Sequence, residues 1–422
     1  MFASFKQIFK TKNRDLLKRI LFTLAALFVF KLGTTIIVPG VEVNTSGMSF
    51  LEIINAMSGG AFNNASILAL GVSPYITASI IIQLLSADIV PYLSELSKQG
   101  GVGRRKLNQI TRITGIGLAF IQGYMYSYAY IQNGSPMDYM LYSLILSAGT
   151  AFLMWLGDQI TAKGIGNGIS LIIMAGIISV LPNMFKNLWV ELIAKGFLGI
   201  TIFVAFILVF LAIIIGIIYV ETAERRIPIQ YANKSTSALG KQNYIPFKLN
   251  SAGVMPVIFA SAILSIPQIV ASFIKNEKFT LFATKYLSYT NGTGLALYLV
   301  LIFVFAYFYT FMQLKPKDMA DNLNKNGGYI PGIRPGEETV TYVKTVLKRI
   351  TIVGATFIAA LAVLPILFES VSNLSTKVAI SGTGVLIAVG VALETFKQIE
   401  SQLVSRSYNK GRKGRRRWKM LF

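Results

Sequence analysis

Residues 197–220 read FLGITIFVAFILVFLAIIIGIIYV, 24 consecutive positions without a charged side chain. A helix rises about 1.5 Å per residue and the hydrocarbon core of a bilayer is roughly 30 Å thick, so this stretch is long enough to cross a membrane. The pattern recurs on both sides of it. Apolar blocks near 20–38, 66–87, 111–131, 139–159, 168–185, 252–273, 294–314, 350–368 and 378–396 complete a set of ten predicted spans. Overall, 54% of the residues are hydrophobic and 14% charged, with a mean hydropathy of +0.59. A soluble globular domain carries about a quarter charged residues. A single water-soluble core is thereby excluded.

The net charge of +22 would point to nucleic acid in a soluble protein. In a membrane protein its placement reports orientation. The first span follows Lys6, Lys10, Lys12, Arg14, Lys18 and Arg19 without a small-residue cleavage site, which predicts a retained span with its basic flank in the cytoplasm. Threading ten spans from that start puts 33 of the 40 Lys and Arg on the cytoplasmic side and six outside, with only Lys31 well inside a span. Both termini are then cytoplasmic. The predicted division is a basic N-terminus at 1–19, an N-terminal half at 20–185, an external connection at 186–196, a C-terminal half at 197–396 with large cytoplasmic loops at 221–250 and 315–349, and a basic tail at 397–422. The tail carries Lys410, Arg412, Lys413, Arg415, Arg416, Arg417 and Lys419 around Trp418. It reads as a topogenic signal, or as a contact for the ribosome or anionic lipid.

The chain has no cysteine and no histidine, which removes disulfides, thiolate nucleophiles, imidazole bases and ordinary zinc sites. Its 18 carboxylates lie almost entirely in polar connections. No Gly-x-x-x-x-Gly-Lys-Ser/Thr phosphate loop is present. The expectation is therefore a protein without enzymatic activity of its own and without a cofactor. Lys31 and Glu394 are the candidate intramembrane charges, and either could be structural. Two charges are few for a proton or ion relay. A secondary transporter of a small solute remains the alternative, since ten spans with glycine breaks would also suit one.

Three Gly and Pro clusters, at 71–74, 164–168 and 253–256, read singly as close packing or a kink and together as broken or hinged helices around a cavity. Between Pro39 and Ala65 a further segment, SFLEIINAMSGG at 49–60, has apolar residues at 50, 51, 53, 54 and 57 and ends at two glycines. It is too short to cross. Periodicity leaves it as either a surface amphipath or a re-entrant helix.

Several motifs, in order and spacing from Phe22 to about Glu400, together resemble the SecY/Sec-alpha family, the channel subunits of the bacterial Sec protein translocase. They are MSGG at 57–60, PYITASIIIQLL at 74–85, GRRK at 103–106, GIGNGIS at 164–170, ADNL at 320–323 and PGIRPG at 331–336. The resemblance implies an all-α integral membrane protein: ten transmembrane helices in two inverted five-helix halves around a central pore, with a short re-entrant plug helix at about 50–63. It implies the pore subunit of the secretion translocon in the bacterial plasma membrane, passing unfolded polypeptides across and releasing transmembrane segments sideways into lipid. Carried over position by position, the pore ring is Val72, Ile76, Ile169, Ile173, Ile258 and Ile387. The plug comprises Phe50, Leu51, Ile53, Ile54, Met57, Ser58, Gly59 and Gly60. The lateral gate has Gln83, Gln122 and Ser261. Contact with the SecA motor or the ribosome falls to Arg334, Arg104, Arg105, Lys106, Arg225 and Arg226. The implied partners are SecE and SecG, SecA, the ribosome, signal peptides and nascent polypeptides, SecD/SecF and YidC, and anionic lipids. At Val72 many relatives have Ile, and Glu221-Thr-Ala-Glu precedes Arg225 where many have a stretch richer in Gly or Gln.

Overall fold

The computed structural model describes residues 14–39, 58–62, 64–87, 89–131, 134–193, 196–231, 243–274, 277–287, 291–372 and 381–419. The chain divides into two compact units. One comprises Met1–Ser86, Pro91–Phe185 and Ile387–Phe422; the other comprises Ala87–Val90 and Lys186–Leu386.

In the first unit the helices are α1 (Arg14–Gly33), α2 (Ser73–Ser86), α3 (Pro91–Lys98), α4 (Gly100–Tyr130), α5 (Pro136–Lys163) and the first part of α6 (Gly168–Ile193). α4 and α5 pack closely because small residues face each other across them. A Cβ on Gly123 would meet Ser143 at 3.2 Å, and the Ser143 hydroxyl donates to the Phe120 carbonyl at 2.6 Å. In lipid there is no hydrophobic drive between helices, so close approach and such hydrogen bonds hold the pair. Ser135 starts α5 with a reciprocal capping box to Asp138. Val38, Phe62, Leu70, Ala119, Tyr126, Tyr142 and Leu146 form one core, with Phe62 edge-on to Tyr126 at 5.3 Å.

The span expected at 66–87 is helical only from Ser73. Ahead of it the chain turns, with Gly71 at φ +57° and its carbonyl taken by the Thr150 hydroxyl of α5 at 3.2 Å. Similarly, the helix of the first span stops at Gly33. Residues 36–38 then run extended beside 65–67, through Val38 N–H to Ala65 O at 3.0 Å and Ile67 N–H to Ile36 O at 3.1 Å.

The second unit holds the rest of α6, then α7 (Phe197–Thr222), β1 (Glu224–Tyr231), β2 (Asn243–Lys248), α8 (Met255–Ile274), α9 (Glu277–Tyr286), α10 (Gly292–Gln313), α11 (Pro316–Lys325), β3 (Gly328–Tyr329) and α12 (Glu337–Ser372). The last helix, α13 (Ser381–Lys419), passes into the first unit at Ile387. Phe259 of α8 packs edge-on against Phe305 and Tyr309 of α10, at 5.5 and 6.0 Å. Ala252, in the turn before α8, is buried with Ala306 of α10 and Ala355 of α12.

Each predicted span overlaps a helix. Pro136–Lys163, Gly168–Ile193, Phe197–Thr222, Gly292–Lys325 and Glu337–Leu364 are each long and apolar enough to cross a membrane alone. Of the most apolar stretch in each, α5 has 56% buried and α7 only 11%.

Described residues of the loops expected at 221–250 and 315–349 form a small module. Its sheet has strand order β2-β1-β3, antiparallel, with Ile227 opposite Ile245 and Gln230 opposite Tyr329. β1 turns Ile227 and Ile229 inward and Arg226, Pro228 and Gln230 outward. β3 pairs only with Gln230 and Tyr231, so Pro228 sits where that edge of β1 is open and its missing N–H costs no ladder bond. The inward residues join Phe247, Leu323 and Ile330, and Val343, Leu347 and Ile350 of α12, in one core. α12 thus extends well beyond the expected span at 350–368.

Candidate functional site

Two glycine-rich turns place the residues that the motifs single out. The first, at 164–168, joins α5 to α6. Gly164 N–H donates to Ile160 O at 2.7 Å and ends α5. Gly166 has φ +86°, and a Cβ there would meet Leu171 Cδ1 at 2.8 Å and Thr395 Oγ1 of α13 at 3.1 Å. The positive φ disfavours a side chain there, and a Cβ would also require Leu171 to shift. Gly168 N–H donates to Thr161 Oγ1 at 2.9 Å, Asn167 Oδ1 accepts from Ile169 N–H at 3.2 Å, and Thr23 of α1 accepts from Ile165 N–H at 3.1 Å. Ile165 lies buried with Leu16 of α1 and Leu403 of α13. The motif is a socket in which α1 and α13 meet the α5–α6 turn.

The second turn, at 330–336, presents Arg334. Ile333 N–H donates to Ile330 O at 3.1 Å, and Gly332 and Gly336 take φ values of +82° and +103°. Arg334 N–H donates to Glu338 at 3.4 Å, and its carbonyl accepts from the Thr339 hydroxyl at 2.9 Å. The backbone is held on both sides while the guanidinium stays exposed. A fixed backbone under a free cationic side chain suits contact with an outside partner.

Arg104, Arg105 and Lys106 are exposed on the first turns of α4, whose close approach to α3 needs Gly103: a Cβ there would run into the Leu96 carbonyl. Arg225 is exposed on β1. Arg226 differs. It bonds Glu224 at 2.8–2.9 Å and lies over the Tyr244 ring at 4.7 Å. The hydrogen bond it donates to Glu224, with the nearby Tyr244 adding, raises its pKa. The two arginines that sequence groups together thus differ in their contacts: Arg225 is exposed, and Arg226, also exposed, bonds within the hairpin.

Of the six ring candidates, Val72, Ile76, Ile173, Ile258 and Ile387 are buried and Ile169 half-buried. All but Ile258 belong to the first unit. Among the gate candidates, Gln83 donates to Ser79 Oγ at 3.1 Å, and its buried Oε1 has no partner among the described residues. Gln122 is half-buried on α4. The Ser261 hydroxyl donates to Ile258 O of its own helix at 2.9 Å. The plug candidates Phe50, Leu51, Ile53, Ile54 and Met57 lie outside the described residues. Ser58 is buried and its hydroxyl accepts from Phe62 N–H at 3.3 Å, while the Gly59 carbonyl accepts from Lys31 Nζ at 3.3 Å. Glu394 lies on α13 and is exposed.

One charge pair escaped the sequence reading. Arg112 of α4 bonds Asp158 of α5, both partly exposed. They fall at the ends of two predicted spans, 46 residues apart in the chain, and nothing in local spacing marks them as partners. Among the described residues no group of acidic side chains is placed to hold a metal ion.

The family model for SecY matches residues 66–396. The chain is 45% identical over 427 residues to the protein translocase subunit SecY of Bacillus licheniformis, covering 97% of this chain and 99% of that one. A solved protein-conducting channel superposes with a TM-score of 0.69 at 19% identity, over 92% of this chain and 93% of the other. Sec61 in a canine ribosome–channel complex from the endoplasmic reticulum superposes at 0.66, also at 19% identity and the same coverage.

Proposed function

Because the chain belongs to the SecY family, we propose that it is the pore subunit through which unfolded polypeptides cross the bacterial plasma membrane and through which transmembrane segments leave into lipid. The observation that carries this is the 45% identity to a translocase subunit over nearly the whole of both chains. The fold is that of protein-conducting channels.

The chemistry of the candidate residues agrees. Val72, Ile76, Ile169, Ile173, Ile258 and Ile387 form the resting seal. β-branched aliphatic side chains exclude ions by dewetting and fit loosely round a strand of any sequence, which a polar filter could not do. Residues 50–63 are the plug. Gln83, Gln122 and Ser261 belong to the lateral gate, where hydrogen bonds of about 0.6 to 2 kcal/mol each are weak enough to open; the unpartnered Gln83 carbonyl is free to take a new donor there. On the cytoplasmic side Arg334, Arg104, Arg105, Lys106 and Arg225 receive SecA or the ribosome, with phosphate attraction serving ribosomal RNA. Arg226 supports that surface by shaping the hairpin. SecE and SecG accompany the chain in the membrane; SecD/SecF, YidC and anionic lipids are accessory. Energy comes from the partner, and both termini face the cytoplasm.

Vesicles containing the chain with SecE and SecG should take up a signal-bearing precursor only when SecA and ATP are supplied. Uptake of a small solute in vesicles holding this chain alone, abolished by Lys31→Ala or Glu394→Ala, would identify a transporter instead.

A further inference from the structure

Lys31 stands near the end of α1, inside the first predicted span, where an unpaired ammonium is costly. Among the described residues no carboxylate pairs with it. A lysine in a last helical turn ordinarily turns to the free carbonyls of its own helix. Here two hydroxyls have taken them: Thr34 donates to Lys31 O and Thr35 to Leu32 O, both at 2.7 Å. The amine reaches across to the chain that follows instead and donates to Gly59 O at 3.3 Å.

Gly59 sits between two helices. With φ +74°, a Cβ there would lie 3.0 Å from Ser179 Oγ and 3.2 Å from Gly176 Cα of α6, and 3.5 Å from the Phe30 ring of α1. The Ser179 hydroxyl is 3.3 Å from the same Gly59 carbonyl but makes its shorter bond, 2.8 Å, to Gly176 O. Lys31 is thus the donor of the two for which no shorter bond is seen among the described residues. The residues around Gly59 are docked as firmly: Ser58, Ala61 and Phe62 are each at most 1% exposed, Ser58 packs on Gly71, and Ser66 N–H donates to Ala61 O at 3.0 Å.

We propose that Lys31 is a positioning residue that pins residues 58–62 to α1 and α6 through the Gly59 carbonyl, making this segment the fixed end of the plug rather than part of what moves. The assignment of what it anchors rests on reading 50–63 as the plug; the pin itself does not. A cation on a neutral carbonyl is strong enough to persist and, unlike a buried ion pair, leaves no second charge stranded if it opens.

The test uses the full chain with its membrane partners in vesicles. Lys31→Met keeps the length and apolar stem of the side chain and removes the donor. It should speed hydrogen exchange at the Phe62 and Ser66 amides by about tenfold, the loss of one charge-assisted hydrogen bond, and raise resting ion conductance. Lys31→Arg should keep both near the unsubstituted values. Gly59→Ala, which crowds Ser179 and strains the backbone, should reproduce the Met variant even if the latter fails to insert. Exchange at Phe62 and Ser66 unchanged in both variants would overturn the pin. Faster exchange with unchanged conductance would uphold the pin and refute the plug reading.

Discussion

Arg334 illustrates how a single exposed side chain acquires a defined position. Its own N–H and carbonyl are both bonded to the first turn of α12, through Glu338 and Thr339. The guanidinium is thus displayed from a rigid base, and the loss of rotamer freedom on docking is confined to the side chain. Arg334→Glu should insert and purify normally while SecA-driven translocation in vesicles falls by at least tenfold; translocation at the unsubstituted rate would remove Arg334 from the docking surface. The motif around it was legible in sequence as two prolines and two glycines. Its neighbour case, Arg226, was not. Counted with Arg225 as a docking pair, it is engaged by Glu224 two residues back and by Tyr244 on the next strand. An alternating strand places residues 224 and 226 on one face and 225 on the other. That separation exists only once the segment is known to be a strand.

Among the elements, the hairpin of β1 and β2 shows most clearly where sequence reasoning stops. Its inward pattern is Ile227 and Ile229 around Pro228, too short a period-2 signal to announce a strand in a polar connection. The strand forms because Phe247, Leu323, Ile330, Val343 and Leu347 supply an apolar surface from elsewhere in the chain. Phe247 is nearly fully buried at the centre of that surface. Phe247→Ala should cost the module about 3 to 5 kcal/mol and expose 224–248 to protease, leaving the membrane helices intact; resistance to protease as great as that of the unsubstituted protein would show that the hairpin folds without this core. The helices present the opposite case. Their spans were readable from apolar length, but their ends were not: α2 begins at Ser73 because Gly71 turns the chain and Thr150 takes its carbonyl, and α12 begins at Glu337 because its first turns belong to the sheet's core. Hydropathy reports where lipid lies, and helices need not stop at that boundary.

At the scale of the whole molecule, function follows from several weak features acting together. No single aliphatic residue among the six ring candidates is distinctive, and a seal of this kind fails by degrees as its members are removed. Replacing Ile76, Ile173 and Ile258 together by Ser should raise resting ion conductance of reconstituted channels several-fold by admitting water. A conductance no higher than that of the unsubstituted channel would place the seal elsewhere. By itself the sequence determined membrane residence, the number of apolar spans, the family and the motifs at 164–170 and 331–336. Each depends on local composition or on order along the chain. The tertiary structure alone decided which apolar residues face inward. α5 and α7 are both apolar enough to cross a membrane, yet 56% of the most apolar stretch is buried in one and only 11% in the other. In lipid an apolar side chain suits either place, so periodicity carries no signal for the interior. For the same reason the partners of Lys31 and Arg112 could not be read. A charge in a span must find a bond, but which carbonyl or carboxylate supplies it depends on chain that folding brings back from far along the sequence.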